Sequence, residues 1–319
     1  MTDDLITLDL VLNDWIARRV SLRDSTRISY QGHIRNHLIP TLGTTPLHRL
    51  STRAIEDAYR QLMTDARLSP ATIERVHATL HACLEWALGH GLIDRNPATR
   101  VELPRNTTER PEGWSIEQAR AFLAFVQGDP LEALWRLLLV HGLRRGEALG
   151  LRWFDLDYPT ATLHIRRQLT LVAGKPRWEQ PKTSNGIRDI QLDVKTLLAL
   201  RRIKDTQQRW NDINPAATAD PVLVFTTLSG DPINPAMVLR MFHKLCAEAE
   251  LPAIRIHDLR HTSAAIGLAA GEGITEISRR LGHSSITTTA NLYTTVPAPL
   301  AAAHATARAE LLTTKGTNR

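Results

Sequence analysis

A mainly α-helical fold with a small antiparallel β-sheet, divided into two domains, is predicted by three features of the sequence. Apolar residues recur at helical spacing through most of the 319 residues. A polar segment with prolines interrupts them near residue 105, and runs of β-forming residues occur only after that segment. Hydrophobic residues make up 43% of the chain, which is enough for each domain to bury a core.

The first domain, residues 1–104, is predicted to be entirely helical. One apolar face of its first helix comprises Leu8, Val11, Leu12, Trp15 and Ile16. A second helix should run from a Ser25 cap to His37, because Pro40 and Gly43 interrupt the pattern after it.

Two serines predict the starts of the next two helices. Ser51 can cap a helix that runs to about Met63. Ser69 precedes Pro70, a residue favoured in the first helical turn. The long apolar stripe after Pro70 should end near Gly89.

Residues 105–112 are predicted to form a linker, since they lie in a polar stretch with two prolines and a glycine. Ser115 and Gln118 then show a capping-box pattern near the start of a mixed domain, residues 113–319. Further helices are predicted at 115–127, 130–142, 144–151, 193–210, 235–249, 258–270 and 274–282, and in the alanine-rich tail from Pro299. Strands of one small antiparallel sheet are predicted at 161–172, around Trp178 and at 187–192.

The charge distribution favours a polyanionic partner. The formal net charge is +6, and nucleic acid is the simplest partner for a basic protein. Residues 1–104 contain as many acidic residues as arginines and have no lysine, so the excess lies in residues 105–319. The first domain still groups five arginines, which either contact phosphate or form a solvated face, namely Arg18, Arg19, Arg23, Arg27 and Arg35.

Cysteine usage and hydropathy predict a cytoplasmic protein that acts away from membranes. Cys83 and Cys246 are far apart in apolar stretches, which fits a reducing compartment better than a disulfide framework. The N-terminus lacks the pattern of a signal peptide, and no apolar run reaches the ~18 residues of a membrane span.

Four short segments contain residues suited to phosphoryl transfer. They lie at 141–153, 181–190, 257–262 and 281–293. Paired arginines can hold the non-bridging oxygens of a phosphodiester as they gain negative charge. A tyrosine hydroxyl, with an ordinary pKa of about 10, needs a base or a cationic field to attack phosphorus. A lysine or histidine can protonate the leaving oxygen.

In this order and spacing, the four segments resemble the active-site motifs of the tyrosine recombinase (phage integrase) family. Residues 8–103 also resemble that family's helical core-binding domain, most closely between His37 and Leu50. The resemblance identifies six candidate catalytic residues, namely Arg144, Lys182, His257, Arg260, His283 and Tyr293.

The resemblance also implies a role for each candidate. Phosphate binding and transition-state stabilisation are implied for Arg144, Arg260 and His283. Lys182 would protonate the leaving 5′ oxygen, and His257 would assist proton transfer. Tyr293 would form a 3′-phosphotyrosyl bond, which the 5′-hydroxyl of a partner strand later reverses. Neither a cofactor nor a metal is then required.

The resemblance further implies the partners and the assembly. The two domains would close as a clamp around double-stranded DNA attachment sites, and a homotetramer would exchange strands through a Holliday junction. The alanine-rich tail would dock on a neighbouring protomer. The chain starts almost directly at the core-binding domain, so it resembles a simple integrase without an arm-binding domain, or one that has been shortened. An excision directionality factor stays open as a partner.

Other interpretations compete with an integrase that inserts and excises a phage or mobile element. A resolvase of chromosome dimers or plasmid multimers shares the motifs. A topoisomerase-like relaxase would share the chemistry, and a non-catalytic DNA-binding regulator would share the scaffold alone. The complete catalytic set argues against the regulator.

Several residues near the motifs have simpler interpretations. Arg145 is expected to be a solvated helix residue. Glu147 either orients the neighbouring arginine or has a purely structural role. His257 and His261 are four residues apart, as metal ligands on a helix can be, but Arg260 between them would repel a cation. His261 is therefore expected to be structural.

Overall fold

The computed structural model describes residues 6–105, 113–172, 174–181, 184–213 and 222–283. These residues form two compact units, which divide the chain between residues 109 and 110. We call them the helical unit and the second unit. Among the described residues, no helix combines the length and apolar content that a bilayer crossing requires. The predicted tail helix lies outside the described residues.

Over residues 6–105, the helical unit contains five α-helices, namely α1 (Leu8–Arg18), α2 (Asp24–His33), α3 (Ile39–Leu42), α4 (Thr52–Thr64) and α5 (Pro70–Gly89). The two predicted serine caps are confirmed: Ser51 accepts a hydrogen bond from the backbone N–H of Ala54, and Ser69 accepts one from that of Thr72. These caps satisfy backbone donors that a helix leaves without internal partners.

The predicted Ser25 cap and the predicted helix break before Pro40 are both wrong. Helix α2 begins at Asp24, and Arg23 precedes it without a side-chain cap. The chain then stays helical through Pro40, because a π-helical segment, Ile34–Leu38, joins α2 to α3. Proline lacks a backbone N–H and its ring crowds the preceding turn, and a wider π turn accommodates such a residue within a continuous helix.

The second unit contains seven α-helices among its described residues, namely α6 (Ile116–Phe125), α7 (Glu132–Leu139), α8 (Arg145–Leu149), α9 (Val194–Ile213), α10 (Pro235–Glu248), α11 (Asp258–Ala269) and α12 (Ile274–Leu281). The capping box that Ser115 and Gln118 predict is present at the start of α6. Four aromatic rings from the segment before α6 and from α6, α7 and α10 pack together in the core, namely Trp114, Phe122, Trp135 and Phe242.

In the part of the chain that the structure describes, the β-structure consists of two small sheets where the sequence predicts one. Its strands are β1 (Leu156–Asp157), β2 (Thr162–Ile165), β3 (Gln168–Val172), β4 (Lys175–Glu179) and β5 (Arg188–Gln191). β2 pairs antiparallel with both β1 and β5, while β3 and β4 form a separate antiparallel hairpin.

The predicted single strand at 161–172 is therefore two strands that break at Arg166. The ladder of β2 ends where Ile165 pairs with Arg188. The Arg166 side chain then turns back and donates to the carbonyl of Arg188 and to Asp189. Because β5 alternates between buried and exposed residues, Arg188 points inward with Ile190. The fold class, mainly helical with small antiparallel sheets, is confirmed.

Candidate active site

Four of the six predicted catalytic residues lie at or near helix ends in the second unit. Arg144 precedes α8, His257 precedes α11, Arg260 lies in the first turn of α11, and His283 follows α12. We call these four residues the arginine–histidine site. Contacts among the ends of α8, α11 and α12 bring them together.

Arg144 is held by one buried carboxylate. Its Nη1 donates to Oε1 of Glu147 over 2.7 Å, and its backbone N–H donates to Oε2 over 2.9 Å. The Glu147 side chain is 1% exposed, whereas that of Arg144 is 35% exposed. Glu147 therefore anchors both ends of Arg144 while the guanidinium still faces solvent.

Three successive carbonyls at the end of α12 each accept a hydrogen bond from a different arginine. The carbonyl of Arg280 accepts from Arg188 over 2.6 Å. The carbonyl of Leu281 accepts from Arg260, and that of Gly282 accepts from Arg144 over 2.9 Å. Carbonyls at a helix C-terminus lack internal partners and have a partial negative charge. Three cations therefore gather where the chain leads into His283.

Gly282 allows this close approach of the chain. Its φ is +67°, in the left-handed region that glycine adopts without strain. A Cβ at this position would lie 2.6 Å from the carbonyl oxygen of Asn185 and 3.0 Å from Nη1 of Arg188. The Asn185 carbonyl belongs to the backbone, and Nη1 of Arg188 is held by Glu147 and by the carbonyl of Gly186. Since neither can shift cheaply, a larger residue would displace His283 from the arginines.

Arg260 is almost fully buried, with 3% of its surface exposed. Its Nη1 donates to the carbonyl of Gly142 over 2.6 Å, in addition to the bond from Nη2 to Leu281. Burial and the nearby charge of Arg144 lower the pKa of Arg260 to about 9. The group is still protonated at neutral pH, and these contacts use two of its five N–H donors.

Both histidines of the site are held in the neutral form. Burial, together with Arg260 and Arg144, lowers the pKa of His283 to about 4. Burial, Arg260 and His261 lower the pKa of His257 below its ordinary value. The rings of His257 and His261 meet edge to face, with centroids 5.6 Å apart. A neutral imidazole can both accept and donate a proton, as proton transfer at a phosphate requires.

Glu147 remains a carboxylate despite its burial. Burial alone would raise its pKa, but hydrogen bonds from Arg188 and the charges of Arg188 and Arg144 lower it below the ordinary value. Arg188 donates to both carboxylate oxygens, over 3.1 and 2.8 Å. The sequence leaves Glu147 open between an orienting and a structural role, and the geometry favours the orienting one.

Arg188 is the site-lining residue that sequence reasoning missed. Its one signal is its place in β5, where inward-facing positions are otherwise apolar. A charged residue at a buried strand position needs a buried partner. That partner, Glu147, is 41 residues away in the sequence, so local patterns do not indicate it.

Two shallow clefts border the arginine–histidine site. One, of about 400 Å³, is lined by His257 and, from neighbouring segments, by Leu143, Arg145, Gly146, Leu239, His243, Arg255 and Ile256. The other, of about 340 Å³, has His283, Asn185 and Arg188 in its lining. Both hold cationic side chains, as a surface that receives a phosphate backbone does.

The expectation that Arg145 is solvated is wrong. Arg145 is half-buried, and its Nη1 donates to the carbonyl of Pro235 over 3.1 Å. It thereby joins the start of α8 to the start of α10. Within the described parts of the chain, no cluster of three or more histidine, cysteine or acidic residues could hold a metal ion.

Lys182 and Tyr293 lie outside the described residues. The described residues next to the lysine do contact the site: the side chain of Asn185 donates to the carbonyl of His283 over 2.9 Å. The turn that follows Lys182 is therefore tied to the end of α12.

Comparisons with known proteins show which families and folds this chain is similar to. The model of the phage integrase family matches residues 116–298, and that of the phage integrase N-terminal SAM-like domain matches residues 7–63. A tyrosine recombinase XerC-like protein of Caldanaerobacter subterraneus is 28% identical, over 91% of this chain and 80% of its own. The ICEBs1 integrase of Bacillus subtilis is 26% identical, over 82% and 71%. In fold, the chain is similar to the Tn1549 transposon integrase, solved in complex with transposon right end DNA. Their TM-score is 0.81 at 24% identity, over 94% of this chain and 98% of that one.

Proposed function

This chain belongs to the phage integrase family of tyrosine recombinases, and we propose that Tyr293 cleaves DNA at the arginine–histidine site. The observation that carries the proposal is the gathering of Arg144, Arg260 and His283 at the end of α12. Such a set of donors suits a phosphodiester that is gaining negative charge.

The two arginines would stabilise the transition state electrostatically. As a nucleophile adds to phosphorus, charge builds on the two non-bridging oxygens, and preorganised guanidiniums bind these oxygens more strongly than in the ground state. Arg144 is anchored by Glu147, and Arg260 by two backbone carbonyls. Their orientation is therefore set before DNA binds.

The proposed cleavage step exchanges one phosphoester bond for another, so it needs no external energy source. The hydroxyl oxygen of Tyr293 would form a bond to phosphorus as the bond from phosphorus to the 5′ oxygen breaks. The hydroxyl proton would pass to His257, which its lowered pKa keeps unprotonated, and Lys182 would donate a proton to the 5′ oxygen. One phosphoester bond replaces another, and a 5′-hydroxyl from a partner strand reverses the step.

We propose that the product is a site-specific exchange between two DNA attachment sites. Each chain has one Tyr293, and two duplexes present four strands to be cut, so four copies are needed. Integration or excision of a mobile element is favoured over multimer resolution because the ICEBs1 integrase is among the relatives. Resolution stays the second candidate, because the XerC-like relative has a slightly higher identity, 28% against 26% for the ICEBs1 integrase. A directionality factor and action in the cytoplasm remain predictions.

Covalent trapping tests the proposed function. Purified protein is incubated in EDTA with nicked duplexes that tile the DNA on both sides of its gene, and denaturing gels display any protein–DNA adduct. We expect an adduct with the wild type on duplexes that span the crossover site. We expect none with Tyr293→Phe, which lacks only the hydroxyl.

A matched control is Tyr158→Phe, which removes a hydroxyl elsewhere in the second unit and should leave the adduct intact. Strong binding of tiled duplexes without any adduct would contradict the proposal and favour a binding-only regulator. An adduct that persists in Tyr293→Phe would assign the nucleophile to another residue.

A further inference from the structure

Arg188 connects three parts of the second unit through a single buried guanidinium. Its side chain is 4% exposed. It donates to Glu147 in the first turn of α8, to the carbonyl of Arg280 in α12, and to the carbonyl of Gly186 over 3.1 Å. These acceptors adjoin Arg144, His283 and the turn that follows Lys182.

We propose that Arg188 is a positioning residue that keeps Arg144 available to the scissile phosphate and holds His283 beside it. The inference rests on the proposed function and adds to it a buried residue, 4% exposed, that acts through its neighbours. Arg188 acts through Glu147 on one side and through the end of α12 on the other.

The charges at the site support this role. Glu147 has one negative charge and faces two arginines, Arg144 and Arg188. With both present, the three side chains have a net charge of +1, and Arg144 retains attraction for a phosphate. Without Arg188, the carboxylate would be neutralised by Arg144 alone. The guanidinium of Arg144 would then be drawn into the pair, and its field at the phosphate would fall.

The geometry also explains why the residue is an arginine. Its planar fork pairs with both oxygens of Glu147, and its Nε–H points along a third direction to the carbonyl of Arg280. A lysine has one nitrogen and cannot hold a carboxylate in bidentate fashion while it reaches a carbonyl on another helix. An Arg188→Lys variant should therefore keep the charge balance but loosen the end of α12.

Single-turnover cleavage separates this role from a merely structural one. The variants Arg188→Met, Arg144→Ala and their combination are compared with the wild type on a nicked duplex that the wild type cleaves. Two quantities are measured: the dissociation constant for DNA, and the rate of adduct formation at saturating DNA. We expect Arg188→Met to bind DNA like the wild type and to cleave it about 100-fold more slowly, as small misplacements of a catalytic group do.

The double variant provides the decisive comparison. If Arg188 acts through Arg144, adding Arg188→Met to Arg144→Ala should slow cleavage by far less than it slows the wild type, because groups that act as a unit are not additive. The proposal would be overturned if Arg188→Met slowed cleavage by the same factor in the Arg144→Ala background as in the wild type. It would also be overturned if Arg188→Met alone cleaved at the wild-type rate. If Arg188→Met does not fold, Arg188→Gln, which also removes the charge, takes its place in the same cycle, with the same two contradicting results.

Arg136→Met is the matched control. Arg136 is also a buried arginine, 8% exposed, and its partners are Asp193 and Thr196. The Arg136→Met variant should be less stable than the wild type, while its cleavage rate at saturating DNA stays unchanged. An equal slowing in this control would mean that any buried arginine matters, and the proposal would fall. Absence of a wild-type adduct on every tiled duplex would instead contradict the proposed function, and the role of Arg188 would fall with it.

Discussion

The helical unit and the second unit bury different kinds of side chain. Among the described residues, Thr79 is the one polar side chain buried in the helical unit. Those buried in the second unit are Glu132, Arg136, His141, Glu147, Asp155, Thr162, Arg188, Thr196, Asp258, Arg260, Thr262, Ser263 and Ser278. Burying charge is unfavourable unless each charge is paired and hydrogen-bonded. Holding these charged side chains in place therefore lowers the free energy of unfolding of the second unit. The described residues of the helical unit have no such cost.

Because of this difference, we expect the free energy of unfolding and the cleavage step to respond to different substitutions. In the helical unit, a core substitution should change the free energy of unfolding and leave the cleavage step alone. In the second unit, a substitution among the buried polar residues that contact the arginine–histidine site should change both.

Glu147→Ala should have the largest effect. It leaves Arg188 buried without its carboxylate, and breaking a buried ion pair on one side lowers the free energy of unfolding by about 3–5 kcal/mol. Cleavage should fall as well, because Arg144 loses both of its contacts to Glu147. Denaturant unfolding followed by circular dichroism measures the first effect, and adduct formation measures the second. Glu147→Gln keeps the shape of the side chain, so this variant should be destabilised less than Glu147→Ala. If Glu147→Ala were as stable as the wild type, the contrast between the two units would be refuted.

Leu84→Ala tests the opposite side. Leu84 is fully buried in α5, so truncation should lower the free energy of unfolding by about 2–5 kcal/mol. The rate of adduct formation at saturating DNA should stay at the wild-type value well below the melting temperature. A slowed cleavage step in this variant would show that the two units do not divide stability and chemistry.

Ser69→Ala should have a smaller effect of the same kind. Its hydroxyl accepts from the backbone N–H of Thr72 at the start of α5, and loss of such a cap lowers stability by about 1 kcal/mol. The melting temperature measures this loss. A variant with Ser69→Asp, which supplies another capping oxygen, should recover most of it; no recovery would mean that the cap is not what stabilises α5.

The smallest expected effect is a dependence of stability on pH through His283. Its pKa is lowered from 6.5 to about 4 in the folded chain, so the unfolded chain binds protons first as the pH falls. The stability from the neutral ring is fully present above pH 6.5 and is lost as the pH falls towards 4. Because His283 is partly exposed, we expect about 1 kcal/mol or less from it.

His283→Asn is the comparison for that prediction. This variant should lose less stability than the wild type between pH 6.5 and 4, as measured by denaturant unfolding at several pH values. Parallel losses in the two proteins would show that His283 is not held neutral by the fold.

The same contrast explains what the sequence could predict. The helices of the helical unit follow from apolar spacing and from Ser51 and Ser69, since both signals are local. The helix continues past Pro40. The sequence does not predict this, because the π-helical segment that accommodates the proline has no local signature. In the second unit, the break of the strand at Arg166 depends on its contacts with β5, which no periodicity indicates.

The candidate site shows the same limit. Arg144, His257, Arg260 and His283 are identified by the resemblance of their motifs to the tyrosine recombinase family, and the ends of α8, α11 and α12 bring all four together. Arg188 was not identified, because its role depends on a carboxylate 41 residues away and on carbonyls of α12. Buried charge pairs connect distant segments, so they become visible only once the fold is known.

The most direct test of the central claim, that the arginines act on the charge of the scissile phosphate, removes that charge from the DNA. Wild type and Arg144→Ala are compared on a nicked duplex with an ordinary scissile phosphodiester and on one with a neutral methylphosphonate at the same position. We expect a large loss of adduct formation for Arg144→Ala on the phosphodiester and a much smaller loss, or none, on the methylphosphonate. The same loss on both substrates would contradict the claim. It would mean that Arg144 supports the structure of the site and does not stabilise the charge of the phosphate.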